Sequence, residues 1–203
     1  MIDFFDMFPT RIWRIQDLSV DSVSLIKKLE EEQKKDPTGK NISNFSNNWQ
    51  SNFLGIEYDD LRELYIRYAQ DIVKAYSISL EDYEPYVKCM WANISNNSGF
   101  NADHDHIEED GFYSFVHYVE LPTPTKTWKN YLNFKTDKPS IKHFRYPVIH
   151  HNTLTSREVK FSIEPGDLLF FPEWLEHGTP PNATDQRKIS IAGNIGLKKK
   201  KEK

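Results

Sequence analysis

The stretch Asn101-Ala102-Asp103-His104-Asp105-His106 decides how this chain is read, once it is set beside Glu173-Trp174-Leu175-Glu176-His177-Gly178. Histidines spaced i, i+2 point to one face of an extended segment, so His104 and His106 make a pair on one face. His177 lies 73 positions after His104 and follows an apolar run, Asp167-Leu168-Leu169-Phe170-Phe171-Pro172. Imidazole is the commonest side-chain ligand for iron, copper, nickel and zinc. A short paired ligand and a distant single one is how a β-barrel holds a metal between two of its strands. His104, His106 and His177 are therefore the candidate metal ligands and catalytic residues.

Working outward, residues from Tyr86 onward alternate with period two. Tyr86 to Ser95, Tyr113 to Leu121, Tyr131 to Lys135, Val159 to Ile163, Leu168 to Phe171 and Lys188 to Ile195 read as strands. Turn signals separate them at Asn96 to Gly99, Pro122 to Pro124 and Pro165-Gly166-Asp167. Ahead of them the period is helical. Val20, Val23, Ile26 and Leu29 predict a helix that stops at Lys34-Lys35-Asp36-Pro37. A stronger helix, capped by Asp59 or Asp60, carries the stripe Leu61, Leu64, Tyr65, Tyr68, Ile72, Val73 and Tyr76. Residues 38–52 read as a loop, and 136–157 as an inserted loop or lid.

This pattern is mainly β with flanking helices (α+β): a sandwich or jelly roll with the amino-terminal helices packed on one face. Residues 1–203 are expected to be a single domain: a helical part over 1–80, a β core over 86–196 and a basic tail over 197–203.

Composition narrows the function classes. Of the 203 residues 38% are hydrophobic and 14% aromatic, enough to fold around a core. The formal charge of −4 gives no global electrostatic case for nucleic acid. Cys89 is the single cysteine, which excludes an intrachain disulfide and a thiolate zinc site. Neither a signal peptide nor a membrane-spanning segment is apparent, so a cytoplasmic setting is expected, a host's cytoplasm if the protein is viral.

Several motifs follow in order: Trp91-Ala92-Asn93-Ile94, Asn101, His104-x-His106, Ser114 to Tyr118, Pro165 to Pro172, Trp174-Leu175-x-His177 and Ile189-Ser190-Ile191-Ala192-x-Asn194. Together they resemble the Fe(II)- and 2-oxoglutarate-dependent dioxygenases, and are most similar to the small prolyl-4-hydroxylase-like branch of marine phages and bacteria. The resemblance covers about residues 86 to 196. It implies a double-stranded β-helix with iron at its mouth, 2-oxoglutarate as cosubstrate, O2 as oxidant and ascorbate as a candidate reductant. It also implies hydroxylation of a substrate, a prolyl or other protein side chain being the first guess, with decarboxylation of 2-oxoglutarate to succinate.

The chain departs from that family at one ligand. Where a carboxylate is usual stands His106, which gives a three-histidine set. A rival set keeps a carboxylate by pairing His106 with Glu108, also i, i+2, and Asp105 serves only if the segment turns there. The family also places a basic residue for the distal carboxylate on the last strand, two before a serine. Lys188 fits by phase with Ser190, while Arg187 fits by the bidentate chemistry of guanidinium; both stay open.

Tyr113, Tyr118, Trp128 and Trp174 are candidates to line the pocket. His117 reads as a packed strand residue, and His143, His150 and His151 as incidental. Two other classes remain: a cupin-type enzyme that uses three histidines without 2-oxoglutarate, and an inactive barrel that serves as a binding module. Convergence of the three imidazoles separates metal centre from binding module.

Overall fold

The computed structural model describes residues 9–16, 18–40, 47–107, 110–136 and 156–200. In chain order these form β1 (Trp13–Ile15), α1 (Ser22–Lys35), β2 (Asn48–Gln50), a 3-10 turn (Ile56–Tyr58) and α2 (Asp59–Ala75). The remainder is strand: β3 (Tyr83–Ser95), β4 (Asn101–His104), β5 (Gly111–Glu120), β6 (Tyr131–Lys135), β7 (Glu158–Ser162), β8 (Leu168–Pro172), β9 (His177–Thr179) and β10 (Lys188–Lys199). One sheet has the order β1-β8-β5-β10-β3-β2 and the other β4-β9-β6-β7. Every pairing is antiparallel. The result is the expected jelly roll, with two helices on one face.

Alternation along the central strands sorts the residues between two environments. Ile189, Ile191 and Ile195 of β10, with Met90, Ala92 and Ile94 of β3, face the helices and join Leu25, Leu29, Tyr65 and Ile72 in the larger core. β-Branched side chains suit that pleated, fully covered surface. Burying a leucine such as Leu29, which is wholly buried, contributes roughly 1.5–3 kcal/mol. The opposite face, carrying Lys188, Ser190, Ala192 and Asn194, looks toward the second sheet and lines a cavity. A smaller core of Tyr118, Leu132, Phe134, Leu169 and Phe171 joins the sheets on that side.

Some expectations need correction. The amino-terminal part is not only helical, because β1 pairs with β8 and β2 with β3; β2 falls inside the stretch read as a loop. Three-residue strands are too short to display a period. In α1 the buried face is Leu25 and Leu29, while Val23 is 79% exposed. The phase is set by where the helix starts, at Ser22, behind an Asp21 cap that accepts from the Ser24 amide at 3.1 Å. Asp59 and Asp60 lie in the first turn of α2 rather than at its cap, which is Tyr58; there they still favour the positive end of the helix dipole.

The basic tail begins later than expected. Lys198 and Lys199 belong to β10, opposite Glu84 and Tyr83, and Lys198 Nζ lies 3.0 Å from Glu84. The greater part of the expected lid, residues 137–155, lies outside the described residues, as do Glu108, His143, His150 and His151. No helix among the described residues is long and apolar enough to cross a membrane.

Candidate metal centre

His104 ends β4 and His177 opens β9, and the two face each other in the antiparallel pair. His106 follows two residues after β4 and is held by its backbone N–H, which donates to the Glu173 carbonyl at 2.9 Å. That bond ties the His104-His106 segment to the turn before His177. The three ring centroids lie 4.5 to 5.2 Å apart, and one ligand nitrogen from each falls within 4.8 Å of the others. A metal bonding each nitrogen at about 2.1 Å needs them about 3–4 Å apart, so small ring rotations close the set.

Backbone carbonyls choose the tautomers. His104 Nδ1 lies 2.7 Å from the Ala102 carbonyl and His177 Nδ1 lies 2.9 Å from that of Leu175. A carbonyl only accepts, so each Nδ1 carries the proton and each Nε2 keeps its lone pair for a metal. Burial, reinforced by the neighbouring His104, pushes His177 down to about 3, so it is a neutral ligand across the physiological range. His177 is buried while His104 is exposed, which places the cluster between the interior and the mouth.

No carboxylate joins the cluster among the described residues. Asp105 is exposed, and Asp103 is engaged by Lys135. Glu108 belongs to the residues that are not described.

A cavity of about 430 Å³ runs from the three histidines to Lys188 and Ser190. Lys188 is 8% exposed and has no hydrogen-bond or ion-pair partner among the described residues; burial pushes its ammonium down to about 8. Arg187 does not line the cavity. It turns to the helix side, where Nε donates to Glu120 at 3.1 Å and Nη1 to Glu30 at 2.5 Å. Helix α1 supplies Glu30, so the guanidinium staples that helix to the sheet.

The aromatic candidates divide. Tyr118 lines the cavity, and its buried hydroxyl has no partner among the described residues. Tyr113 faces the helices and shares a 2.6 Å hydrogen bond with Tyr76. Trp128 lines a separate surface pocket and Trp174 is half-exposed. His117 packs as expected, 2.9 Å from the Tyr65 hydroxyl, and burial pushes it down to about 4.

Sequence reasoning missed Lys40 and Gln50, which reach the cavity from the region read as a loop, and Phe53 just beyond it. It quoted Ser114 and Asn194 within motifs but did not foresee that they form a buried pair, 3.1 Å apart on the cavity wall. The signal for those two was present, since both lie in phase with Lys188 and Tyr118 on paired strands.

The donor set suits Fe(II): three imidazoles, two of them with tautomers fixed by carbonyls, beside a buried cation and an orphaned hydroxyl that call for an anionic, hydrogen-bonding ligand. Comparisons agree. The family model described as "Putative 2OG-Fe(II) oxygenase" matches residues 89–194. No curated protein matches the chain. Among solved structures the chain is similar to a prolyl-4-hydroxylase of Pseudomonas putida, with 12% identity, a TM-score of 0.60 and coverage of 92% of each chain. It is also similar to the viral collagen prolyl hydroxylase of Paramecium bursaria Chlorella virus-1, with 13% identity and a TM-score of 0.54, over 91% of this chain and 94% of that one. HygX of Streptomyces hygroscopicus, solved with nickel and 2-oxoglutarate bound, shares 14% identity with a TM-score of 0.60, over 92% of this chain and 83% of that one. Such identities speak for the fold, and the family match for the kind of enzyme: the chain belongs to the 2OG-Fe(II) oxygenases, which work with Fe(II), 2-oxoglutarate and O2.

Proposed function

We propose that the protein is a hydroxylase in which His104, His106 and His177 hold Fe(II) and Lys188 grips the distal carboxylate of 2-oxoglutarate. The observation that carries this reading is the single cavity joining the imidazole cluster to a buried, unpaired ammonium. When bound, Fe(II) with 2-oxoglutarate supplies the oxidation: O2 is split, one atom leaving in succinate as CO2 is lost, the other becoming the hydroxyl of the product.

The chain's own residues bind and orient. Lys188 supplies the charge and Ser190, on the same face two residues on, a hydroxyl beside it. Tyr118, in backbone register with Ser190 on the neighbouring strand, offers its unpartnered hydroxyl as a further donor. Phe171, whose ring centre lies 4.5 Å from that of His177, and Leu132 keep water from the inner wall. Arg187 is assigned to structure, since its hydrogen bonds to Glu120 and Glu30 engage its charge.

A prolyl or other protein side chain is the proposed substrate, supported by the prolyl hydroxylases among the similar folds. The test is succinate release with Fe(II) and 2-oxoglutarate present. The wild type should release succinate slowly even without substrate, and His177→Ala should not. Release that persists in His177→Ala, or that ignores 2-oxoglutarate, overturns the reading.

A further inference from the structure

The wall of the cavity carries a charge imbalance. Among its described residues are three histidines and two lysines, Lys188 and Lys40, and neither aspartate nor glutamate. Lys188 lies deep. Lys40 stands at the other end, half-buried, with Nζ 3.9 Å from the centre of the Phe53 ring, which is 61% exposed. No ion pair engages Lys40 among the described residues. A 2-oxoglutarate dianion offsets only part of the charge of a divalent metal held by neutral ligands together with two ammonium groups.

The rings between Lys40 and the metal ligands form a continuous track. Phe53 and Trp91 have centroids 6.4 Å apart, and Trp91 and His106 are 5.8 Å apart. A molecule lying along Phe53 and Trp91 therefore has Lys40 at one end and the imidazole cluster at the other. Ring faces suit a flat or cyclic apolar body, and the ammonium suits an anion.

We propose that this enzyme selects substrates bearing a carboxylate, which docks on Lys40 while an apolar body on the Phe53–Trp91 track carries the reacting carbon to the metal. The proposal rests on the oxygenase reading above, because the charge count includes the metal and its cosubstrate. Lys40 is here a specificity residue. An acidic side chain of a peptide and a free small-molecule carboxylate share the recognised chemistry, and the experiment tells them apart.

The test is equilibrium binding to protein saturated with Mn(II) and 2-oxoglutarate in the absence of O2, so that nothing turns over. Acetylated, amidated hexapeptide pools carry Asp/Glu, Asn/Gln or Lys/Arg at one position. A parallel set holds N-acetyl amino acids and their amides. Retention of each is read by mass spectrometry. Carboxylate-bearing probes should be retained about tenfold better than their amides, which is ~1.4 kcal/mol, with the Lys/Arg pool retained least. Enrichment among the peptides or among the N-acetyl acids identifies the source.

Lys40→Met should erase the difference between acid and amide, and Lys40→Glu should reverse the order of the pools. Lys129→Glu, a similar charge reversal outside the cavity lining, should keep the wild-type order. Equal retention of acids and amides overturns the proposal, as does an acid preference that survives in Lys40→Glu, and both leave the oxygenase reading intact. Failure of 2-oxoglutarate itself to bind the Mn(II) protein overturns both.

Discussion

His104 and His177 stand directly opposite each other on antiparallel strands, and each carries its Nδ1 proton on a carbonyl two residues earlier in its own chain. Two strand ends thus present matched Nε2 atoms. Either substitution, His104→Ala or His177→Ala, should lower Fe(II) affinity by more than the roughly 10–100-fold that follows loss of an outer hydrogen-bond partner. Metal content after dialysis against a weak chelator measures this, and an unchanged content in both variants removes the ligand assignment.

The third ligand is tested by two further variants. His106→Asp converts the set into two histidines and a carboxylate; it should retain metal and still turn 2-oxoglutarate into succinate. Glu108→Ala should be nearly silent. A dead Glu108→Ala protein with an equally dead His106→Asp would mean that His106 and Glu108 are the working pair. Iron analysis and succinate release read out both.

Much of this site was legible before any geometry. The long strands show their period because each places alternate residues in the large core and in the cavity wall, so Lys188 and Ser190 separate from Arg187 by phase alone. Phase could not say which cation is free: that depends on Glu30, from a helix far away in sequence, reaching Arg187. The strands β4 and β9 were invisible as strands at four and three residues, and only their histidines marked them. Lys40 and Phe53 were illegible because they come from irregular chain, where no spacing links them to a sheet. Val23 misled because an apolar residue near a helix start carries no mark of which face the helix will bury.

With Lys188 as the proposed cosubstrate cation, its depressed ammonium should make cosubstrate affinity depend on pH. Below about 8 the side chain is charged in the empty protein, and above it the charge is lost. 2-Oxoglutarate affinity should thus be flat from neutral pH to about 8 and fall beyond it. Lys188→Ala should lose roughly 1.5–3 kcal/mol of binding, the value of a charged hydrogen bond, and show no such decline. Arg187→Ala should bind 2-oxoglutarate almost as the wild type does while losing about 1 kcal/mol of stability from its half-exposed ion pairs. Titration calorimetry across pH and a denaturant series make the comparison.

The same burial has a cost to folding. In the unfolded chain Lys188 holds its proton up to about 10.5, in the fold only up to about 8. Stability tied to this group therefore rises with pH between those values and is lowest at neutral pH, where a charged ammonium is buried without a partner. Lys188→Met should stabilise the metal-free protein at pH 7 by about 3 kcal/mol, in line with a shift of this size, while ruining cosubstrate binding. A lower melting temperature for Lys188→Met than for the wild type would contradict the burial argument.

The claim that metal, cosubstrate and cavity form one site is tested most directly by titrating 2-oxoglutarate into the protein with and without metal. Calorimetry of the Mn(II)-loaded protein in the absence of O2 should show one molecule bound per chain. The metal-free protein should bind far more weakly, because Lys188 then acts alone. Equal binding with and without metal, or no binding to the Mn(II)-loaded protein, would contradict the account.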